Sequence, residues 1–335
     1  MALDLVLLGN LLVDDIVCAD GQAAMGEPGG AMLYASLAAR LWGARVGLVS
    51  VVGSDYPAAT IEALAERGVD LAGLRALGRP GVRTWLLYEP GGRRVIHHLG
   101  CATHLEASPA LGDIPASFAS ARAFHLSPMP IARQLELAAG LAERAEPRRD
   151  APAAHRSRTA GAGRPLVSLD PHEPMHGGNL EEWRPVLDHV DAFAPGTDEL
   201  KLAGASEDPA AAIERVPAAR LRFVVLKRGA AGGVLVDRVA DQVYAWPARA
   251  PRVVDTTGAG DAFMGGFLAG WLAHGAVERS IEQGIVGASF ALEAWGARGL
   301  MAGTRDAAER RLEDVRGVVQ RTTRNAFMLG WNRHP

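Results

Sequence analysis

Short apolar runs alternate with segments of helical periodicity along most of this chain. Leu5–Leu8 and Val46–Val52 are apolar runs that end at Gly9 and Gly53, as buried strands do. Segments 33–42 and 61–67 have apolar residues at helical spacing, and each is followed by a glycine suited to a helix C-cap. A strand that alternates with a helix in this way favours an α/β fold with a parallel sheet covered on both faces.

The same alternation resumes in the second half of the chain after one interruption. The segments 83–89 and 93–99 read as two extended runs around Pro90-Gly91-Gly92, which predicts a β-hairpin and a small secondary sheet. The later predicted strands are 123–126, 166–169, 192–194, 223–226 and 234–236, and the later predicted helices are 131–144, 263–273 and 281–294.

Two segments carry no clear periodicity. Residues 146–164 are rich in Arg, Ala, Pro and Gly, which predicts a flexible insertion, and its basic residues are interpreted as a solvated loop. Residues 316–335 are interpreted as a C-terminal tail. The sequence therefore predicts one large domain over residues 1–315, followed by that tail.

Charge and cysteine content narrow the classes of function. The 335 residues include 35 Lys and Arg against 38 Asp and Glu, a formal net charge of −3. A protein that coats nucleic acid or an anionic membrane needs a basic surplus, so neither partner is expected. Two cysteines cannot form a disulfide framework in a chain of this length, and we see no secretory signal or membrane span. These features favour a cytoplasmic protein.

The most informative segment for chemistry is Asp255-Thr-Thr-Gly-Ala-Gly-Asp-Ala-Phe-Met-Gly-Gly-Phe267. Its small residues allow a tight turn at the start of a helix, where the backbone N–H groups of Ala259, Gly260 and Asp261 suit a phosphate. A carboxylate beside such an anion hole is explained if it takes a proton from a nucleophile that attacks the phosphate. We therefore predict that Asp261 is a general base and that Gly258 to Asp261 form the anion hole.

This segment resembles the C-terminal signature of the ribokinase-like (PfkB) family of carbohydrate kinases, and the resemblance covers most of residues 3–310. It implies a central, mostly parallel sheet flanked by helices in a Rossmann-like three-layer arrangement. It also implies a small β-sheet lid built from parts of 10–30 and 82–100.

The resemblance nominates residues for the acceptor. The family's sugar-binding aspartate follows the first strand, which points to Asp14, with Asp15 as the neighbour that could hold the role instead. A carboxylate can accept hydrogen bonds from two sugar hydroxyls. Gly29-Gly30 is similar to the family's di-glycine hinge between lid and core. Tyr34 stands where many family members have a substrate-binding asparagine, so it is either a substrate contact or a core aromatic residue.

The resemblance also nominates residues for the nucleotide and for metal ions. Lys227 stands where many relatives have threonine, and it is either a ligand of the ATP phosphates or a solvated lysine. Glu199 matches the glutamate that helps hold hydrated Mg²⁺, although Gly196 replaces the asparagine of that motif. The implied ATP-binding residues are Lys227, Gly229, Gly232, Thr256, Gly258 and Gly260. A K⁺ site of the kind known in relatives would use Asp255, Thr257, Ala291 and Gly296, with Leu300 in place of a frequent serine.

The resulting prediction is an ATP- and Mg²⁺-dependent sugar kinase that transfers the γ-phosphate to a hydroxyl of a small carbohydrate. Two alternatives stay open: a nucleoside kinase, and a catalytically silent regulator that binds sugar or nucleotide. The hairpin 83–99 is rich in Arg and His, which argues against a nucleoside because a base would favour an apolar lid. The expected partners are a small sugar and ATP, and the resemblance adds a homodimer formed through the lids. The sequence does not identify the sugar.

Overall fold

A computed structural model describes residues 2–89, 92–144, 164–202, 209–217, 220–250 and 252–330. The strands are β1 (Leu5–Leu8), β2 (Leu12–Val17), β3 (Ala23–Gly29), β4 (Val46–Val52), β5 (Asp70–Ala76), β6 (Arg83–Glu89), β7 (Gly92–His97), β8 (Ala123–Leu126), β9 (Leu166–Leu169), β10 (Met175–His176), β11 (Ala192–Phe193), β12 (Leu200–Lys201), β13 (Phe223–Lys227), β14 (Gly233–Asp237), β15 (Gln242–Trp246) and β16 (Gln320–Thr323).

The helices are α1 (Ala31–Leu41), α2 (Ala58–Glu66), α3 (His104–Ala107), α4 (Ile131–Arg144), α5 (Leu180–Leu187), α6 (Pro209–Glu214), α7 (Ala259–His274), α8 (Val277–Leu292), α9 (Arg298–Ala302), α10 (Arg305–Val315) and α11 (Arg324–Gly330). Within the described ranges, none of these helices combines the length and the apolar character needed to cross a bilayer.

The main sheet is mostly parallel. Its strand order is β5-β4-β1-β8-β9-β11-β13-β14-β15-β16 among the described residues, and the strands from β5 to β13 run parallel. The strands β14, β15 and β16 extend the sheet in antiparallel fashion. This arrangement confirms the predicted α/β class.

Side-chain alternation along the strands explains why helices cover both faces. In β1, Leu5 and Leu7 belong to a core that includes residues of α1, α7 and α8, whereas Val6 and Leu8 belong to a second core with residues of α4 and α5. Because both faces are buried, each parallel strand needs apolar residues at consecutive positions, which is the continuous pattern seen in the sequence.

A smaller sheet stands apart from the main one, with the order β3-β2-β6-β7. β2 pairs with β3 antiparallel and with β6 parallel, and β6 and β7 form the hairpin expected at 83–99. The small sheet predicted from the interruption of the alternation is therefore present. We refer to these four strands as the lid.

The end of the chain differs from the prediction of a tail over 316–335. Residues 320–323 form β16, which pairs with β15, and α11 follows and places Phe327 in the core. The strand was missed because Gln-Arg-Thr-Thr lies on an edge with little burial, so it has no apolar alternation to detect. Of the predicted insertion, residues 146–163 lie outside the described residues.

Helix α7 approaches its neighbours unusually closely through glycines. A Cβ atom added at Gly265 would lie 2.0 Å from the carbonyl oxygen of Ala35 in α1. One added at Gly266 would lie 2.6 Å from the carbonyl oxygen of Gln283 in α8. Because these obstacles are backbone atoms, they cannot rotate away, so glycine at these positions fixes how α7 packs.

We predict that Gly265→Ala destabilises the protein. Alanine improves helix propensity by roughly 1 kcal/mol, but overpacking against the α1 backbone is expected to cost about 1–3 kcal/mol. The expected net loss is therefore up to about 2 kcal/mol. The free energy of unfolding in urea measures the difference. Gly112→Ala is the control, since its added Cβ would meet no atom within 4 Å. Equal stability of Gly265→Ala and wild type would contradict this account of the packing.

Candidate active site

A cleft of about 390 Å³ lies between the main sheet and the lid. Its floor comes from residues at the carboxyl ends of parallel strands, with Asn10 after β1, Asp170 after β9 and Lys227 at the end of β13. Ligand sites in parallel α/β sheets form at this edge of the strands. The lid contributes lining residues from its inner face, namely Leu12, Asp14, Thr84, Leu86, Tyr88, Arg93 and Val95.

The start of α7 closes one side of the cleft. Gly258 is its N-cap with φ 72°, a left-handed conformation that favours glycine, and no side chain caps the helix. A Cβ at Gly258 would lie 2.2 Å from the ring of Tyr34, so glycine is required here for space as well. Of the first-turn amides, that of Ala259 makes a long contact of 3.4 Å with the Thr256 carbonyl. The helix start therefore presents backbone donors beside Asp261, as the sequence predicts.

Asp261 lines the cleft among other charged groups. Burial raises the pKa of Asp261 above its ordinary value, the Lys227 ammonium opposes that rise, and the Glu199 carboxylate adds to it. A raised pKa brings a carboxylate closer to the range in which it can accept a proton efficiently. The Asp261 carboxylate therefore faces the cleft between one positive and one negative side chain.

The register of β2 distinguishes Asp14 from Asp15. Asp14 lines the cleft and accepts a hydrogen bond from the Thr84 hydroxyl, whereas Asp15 accepts from Arg83 at 2.8 Å and lies 3.0 Å from His98 on the other face of the lid. A Cβ at Gly29 would lie 2.1 Å from the Asp14 carboxylate, so Gly29 provides the space that Asp14 occupies.

Gly30 is the N-cap of α1 with φ 104° and lines the cleft. Four residues later, Tyr34 also lines the cleft, although only 2% of it is exposed to solvent. Its hydroxyl has no hydrogen-bond partner among the described residues. Burial raises the pKa of Tyr34 well above its ordinary value, so the hydroxyl keeps its proton and is a donor without an acceptor. Tyr34 is therefore both a core aromatic residue and a cleft residue.

The predicted nucleotide residues separate into two groups. Lys227, Gly229, Thr256, Gly258 and Gly260 line the cleft, together with Glu199. Gly232 does not line the cleft and lies instead in the turn before β14. A Cβ added there would lie 1.9 Å from the Trp246 carbonyl oxygen, so this glycine is required by the packing of the turn. The Lys227 ammonium is 2.5 Å from a carboxylate oxygen of Asp170, so it is paired rather than solvated.

Three of the four residues predicted for K⁺, namely Asp255, Thr257 and Gly296, are joined by hydrogen bonds. Asp255 accepts hydrogen bonds from the Thr257 amide at 2.9 Å, from its hydroxyl at 2.7 Å and from the Gly296 amide at 2.9 Å. Ala291 is buried in α8. Among the described residues, no three His, Cys, Asp or Glu side chains are grouped to hold a metal ion directly.

Several cleft residues were missed by sequence reasoning. Asp170 and His172 follow β9, and His104 begins α3. The ring centroids of His104 and His172 are 4.8 Å apart. From the lid, the hydroxyls of Tyr88 and Thr257 lie 2.7 Å apart. The alternation of the hairpin could have identified Tyr88 as inward-facing, whereas no local pattern marks the other three.

Comparison with known proteins relates this chain to carbohydrate and nucleoside kinases. The model of the pfkB family of carbohydrate kinases matches residues 20–302. A cytidine kinase of Thermococcus kodakarensis is 29% identical over 296 residues, which cover 88% of this chain and 98% of that protein. A putative ribokinase II of E. coli in complex with ATP and Mg²⁺ superposes with a TM-score of 0.68 at 18% identity, over 94% of this chain and 100% of that one. A Burkholderia thailandensis nucleoside kinase in complex with inosine gives a TM-score of 0.68 at 17% identity, over 93% and 98%.

The chain therefore belongs to the pfkB family of carbohydrate kinases. Enzymes of this family transfer a phosphoryl group to an alcohol, so the protein is a phosphotransferase with an alcohol group as acceptor. Its acceptor is a sugar or a nucleoside.

We predict that Asp14→Asn stabilises the protein in a pH-dependent way. Burial raises the pKa of Asp14 to about 7, against about 3.9 in an unfolded chain. Because the folded value is the higher one, ionised Asp14 destabilises the fold, and this cost grows as pH rises from about 4 to about 7. Thermal unfolding at pH 5 and pH 8 should show a stability gain for Asp14→Asn that is larger at pH 8.

Asp15→Asn is the matched control with the opposite sign. The Arg83 ion pair and the Gly26 amide hold the pKa of Asp15 below its ordinary value despite burial, so the ionised carboxylate stabilises the fold above the unfolded pKa. Asp15→Asn should therefore lower stability at pH 8. The same sign for both variants would contradict the two assigned environments.

We predict that Tyr34→Phe raises the free energy of unfolding by about 1 kcal/mol, because it removes a buried hydroxyl that lacks a partner. Tyr56→Phe is the control, since the Tyr56 hydroxyl donates to the Gly29 carbonyl at 3.4 Å and its removal brings no such gain. Chemical unfolding of both variants gives the comparison. A loss of stability in Tyr34→Phe would show that the hydroxyl is satisfied.

Proposed function

We propose that this protein is an ATP- and Mg²⁺-dependent kinase that transfers the γ-phosphate to a hydroxyl of a small carbohydrate, with Asp261 as general base. The observation that carries the proposal is the position of Asp261. It lies in the first turn of α7, directly after Gly258, Ala259 and Gly260, and lines the same cleft as Asp14. One cleft thus holds a base, a set of backbone amide donors and a carboxylate that can bind hydroxyls.

The acceptor binds under the lid in this proposal. Asp14 accepts hydrogen bonds from its hydroxyls, the Gly29-Gly30 backbone lies alongside it, and the unpartnered Tyr34 hydroxyl donates to one of its oxygens. Asp261 then removes the proton of the attacking hydroxyl. The raised pKa of Asp261 supports this step, because a weakly basic carboxylate would hold the proton poorly.

The nucleotide phosphates bind at the Gly258, Ala259 and Gly260 end of the cleft. Lys227, Gly229 and Thr256 line the same region, and amide donors there would stabilise charge that develops on the transferred group. Glu199 fits the water-mediated binding of Mg²⁺, since this ion keeps several waters and uses few carboxylates beside substrate phosphates. The bound ion would screen phosphate charge. A K⁺ ion at Asp255, Thr257, Ala291 and Gly296 is proposed on the resemblance alone.

A nucleoside is the second candidate acceptor, and the inner face of the lid favours it. Leu12, Leu86 and Val95 line the cleft from the lid, so this wall is more apolar than the hairpin sequence suggests. Two of the three hairpin arginines that counted against a nucleoside are engaged elsewhere, since Arg83 pairs with Asp15 and Arg94 pairs with Glu89. The third, Arg93, lines the cleft. An apolar wall can pack against a base, and the cytidine kinase relative points the same way.

The test is release of ADP with Mg·ATP and KCl against pentoses, hexoses, keto-deoxy acids, sugar phosphates and nucleosides that include cytidine. We expect turnover with one of these classes, and Asp261→Asn should reduce kcat by roughly 10²- to 10⁴-fold, as loss of a general base does. Turnover of cytidine well above D-ribose would select the nucleoside. Replacement of KCl by NaCl tests the proposed K⁺ site.

Asp306→Asn is the matched control, because Asp306 is also an acid in the first turn of a helix, α10, and does not line the cleft. It should leave kcat unchanged. Near-wild-type turnover by Asp261→Asn would show that Asp261 is not the general base. ATP binding by wild type without turnover of any acceptor would favour a binding protein instead.

A further inference from the structure

Asp170 and Lys227 form a buried ion pair at the floor of the cleft. Asp170 follows β9, Lys227 ends β13, and β11 lies between these strands in the sheet. The Lys227 Nζ atom is 2.5 Å from Asp170 Oδ2, and the side chains are 15% and 1% exposed. The pair therefore crosses the carboxyl edge of three adjacent strands.

Stability alone does not explain this pair. Removing two charges from water costs about as much as their attraction returns, so apolar residues of similar size would serve the fold as well. In addition, Asp170 Oδ1 is buried without a hydrogen-bond partner among the described residues, which is a further cost. Groups that are buried at such a cost at a cleft are candidates for a role with its ligand.

The position of the Lys227 ammonium beside the start of α7 indicates a role in phosphate binding. A Cβ added at Gly260 would lie 3.4 Å from Lys227 Nζ, so the charge lies against the first turn of α7. The Lys227 backbone is held by the Pro195 carbonyl and the Thr197 amide, but its side chain is a flexible four-carbon stem. Asp170 is the only hydrogen-bond partner that the described residues give this ammonium, and the pair thus fixes where the charge lies.

We propose that Asp170 is a positioning residue that holds the Lys227 ammonium at the anion hole, where Lys227 binds the transferred phosphoryl group. This inference rests on the proposed function. Asp170 acts through Lys227 and makes no separate contribution to phosphate binding. The lysine supplies a fixed positive charge beside the backbone amides, and the aspartate removes the freedom that the long side chain would otherwise have.

The test is a double-variant cycle on the Kd of Mg·ATP and on kcat. Lys227→Met should weaken Mg·ATP binding and lower kcat, each by about 10- to 100-fold, the usual size for a lost charged hydrogen bond. Asp170→Asn should do the same by a smaller factor. Asp170→Asn in the Lys227→Met background should change neither quantity by more than about twofold, because additivity fails for residues that act as a unit.

Folding is controlled in three ways. Neither single variant leaves an uncompensated buried charge. In Lys227→Met the Asp170 carboxyl can take up a proton, and in Asp170→Asn the Lys227 ammonium still faces the carboxylates of Glu199 and Asp261. The double variant removes both charges and is the folding reference. Asp237→Asn is the matched off-site control, since Asp237 is also 1% exposed and pairs with Arg222 at 3.0 Å. It should lower the melting temperature without changing the Kd of Mg·ATP.

Four outcomes would overturn the proposal. A folded double variant with wild-type affinity for Mg·ATP would do so directly. An equal effect of Asp170→Asn with and without Lys227 would show that Asp170 acts independently. Absence of Mg·ATP binding in the wild type would overturn the proposed function together with this inference, whereas binding that is indifferent to all three variants would overturn this inference alone.

Discussion

The close contact between α1 and α7 is the constraint on which the cleft depends. Both helices begin at the cleft, α1 directly after Gly30 and α7 directly after Gly258, and Gly265 lets their backbones approach. This packing sets the Tyr34 ring against Gly258. Because β3 runs directly into α1, the lid, the start of α1 and the start of α7 are linked through this helix pair. A change in that packing would alter all three together.

The positive charge of Lys227 is already opposed by carboxylates in the cleft. The carboxylates of Asp170, Glu199 and Asp261 all act on the Lys227 ammonium and hold its pKa above the ordinary value against the effect of burial. Its charge is therefore shared before any phosphate arrives. In the proposed function a single shared lysine cannot neutralise the phosphates of ATP, so a hydrated divalent cation and the helix amides would supply the remainder.

Much of the fold could be predicted because its parallel strands are buried on both faces and leave continuous apolar runs. The start of α7 was predictable because its glycines and Asp261 are adjacent in the sequence. Asp170 was not, since its partner Lys227 is 57 residues away and only the strand order brings them together. The edge strand β16 is polar and gives no pattern, so the sequence reads as a tail there.

The lid shows most clearly why composition is a poor guide to specificity. Its hairpin is rich in Arg and His, but strand alternation places Arg83 and Arg94 in ion pairs away from the cleft and turns Leu86 and Val95 inward. A one-residue change of register would exchange the inward and outward sets and remove Leu86 and Val95 from the cleft wall. If the acceptor binds under the lid as proposed, its selection must depend on the alternate, inward positions of β2, β6 and β7. There the chain combines the apolar Leu86 and Val95 with the charged Asp14 and Arg93.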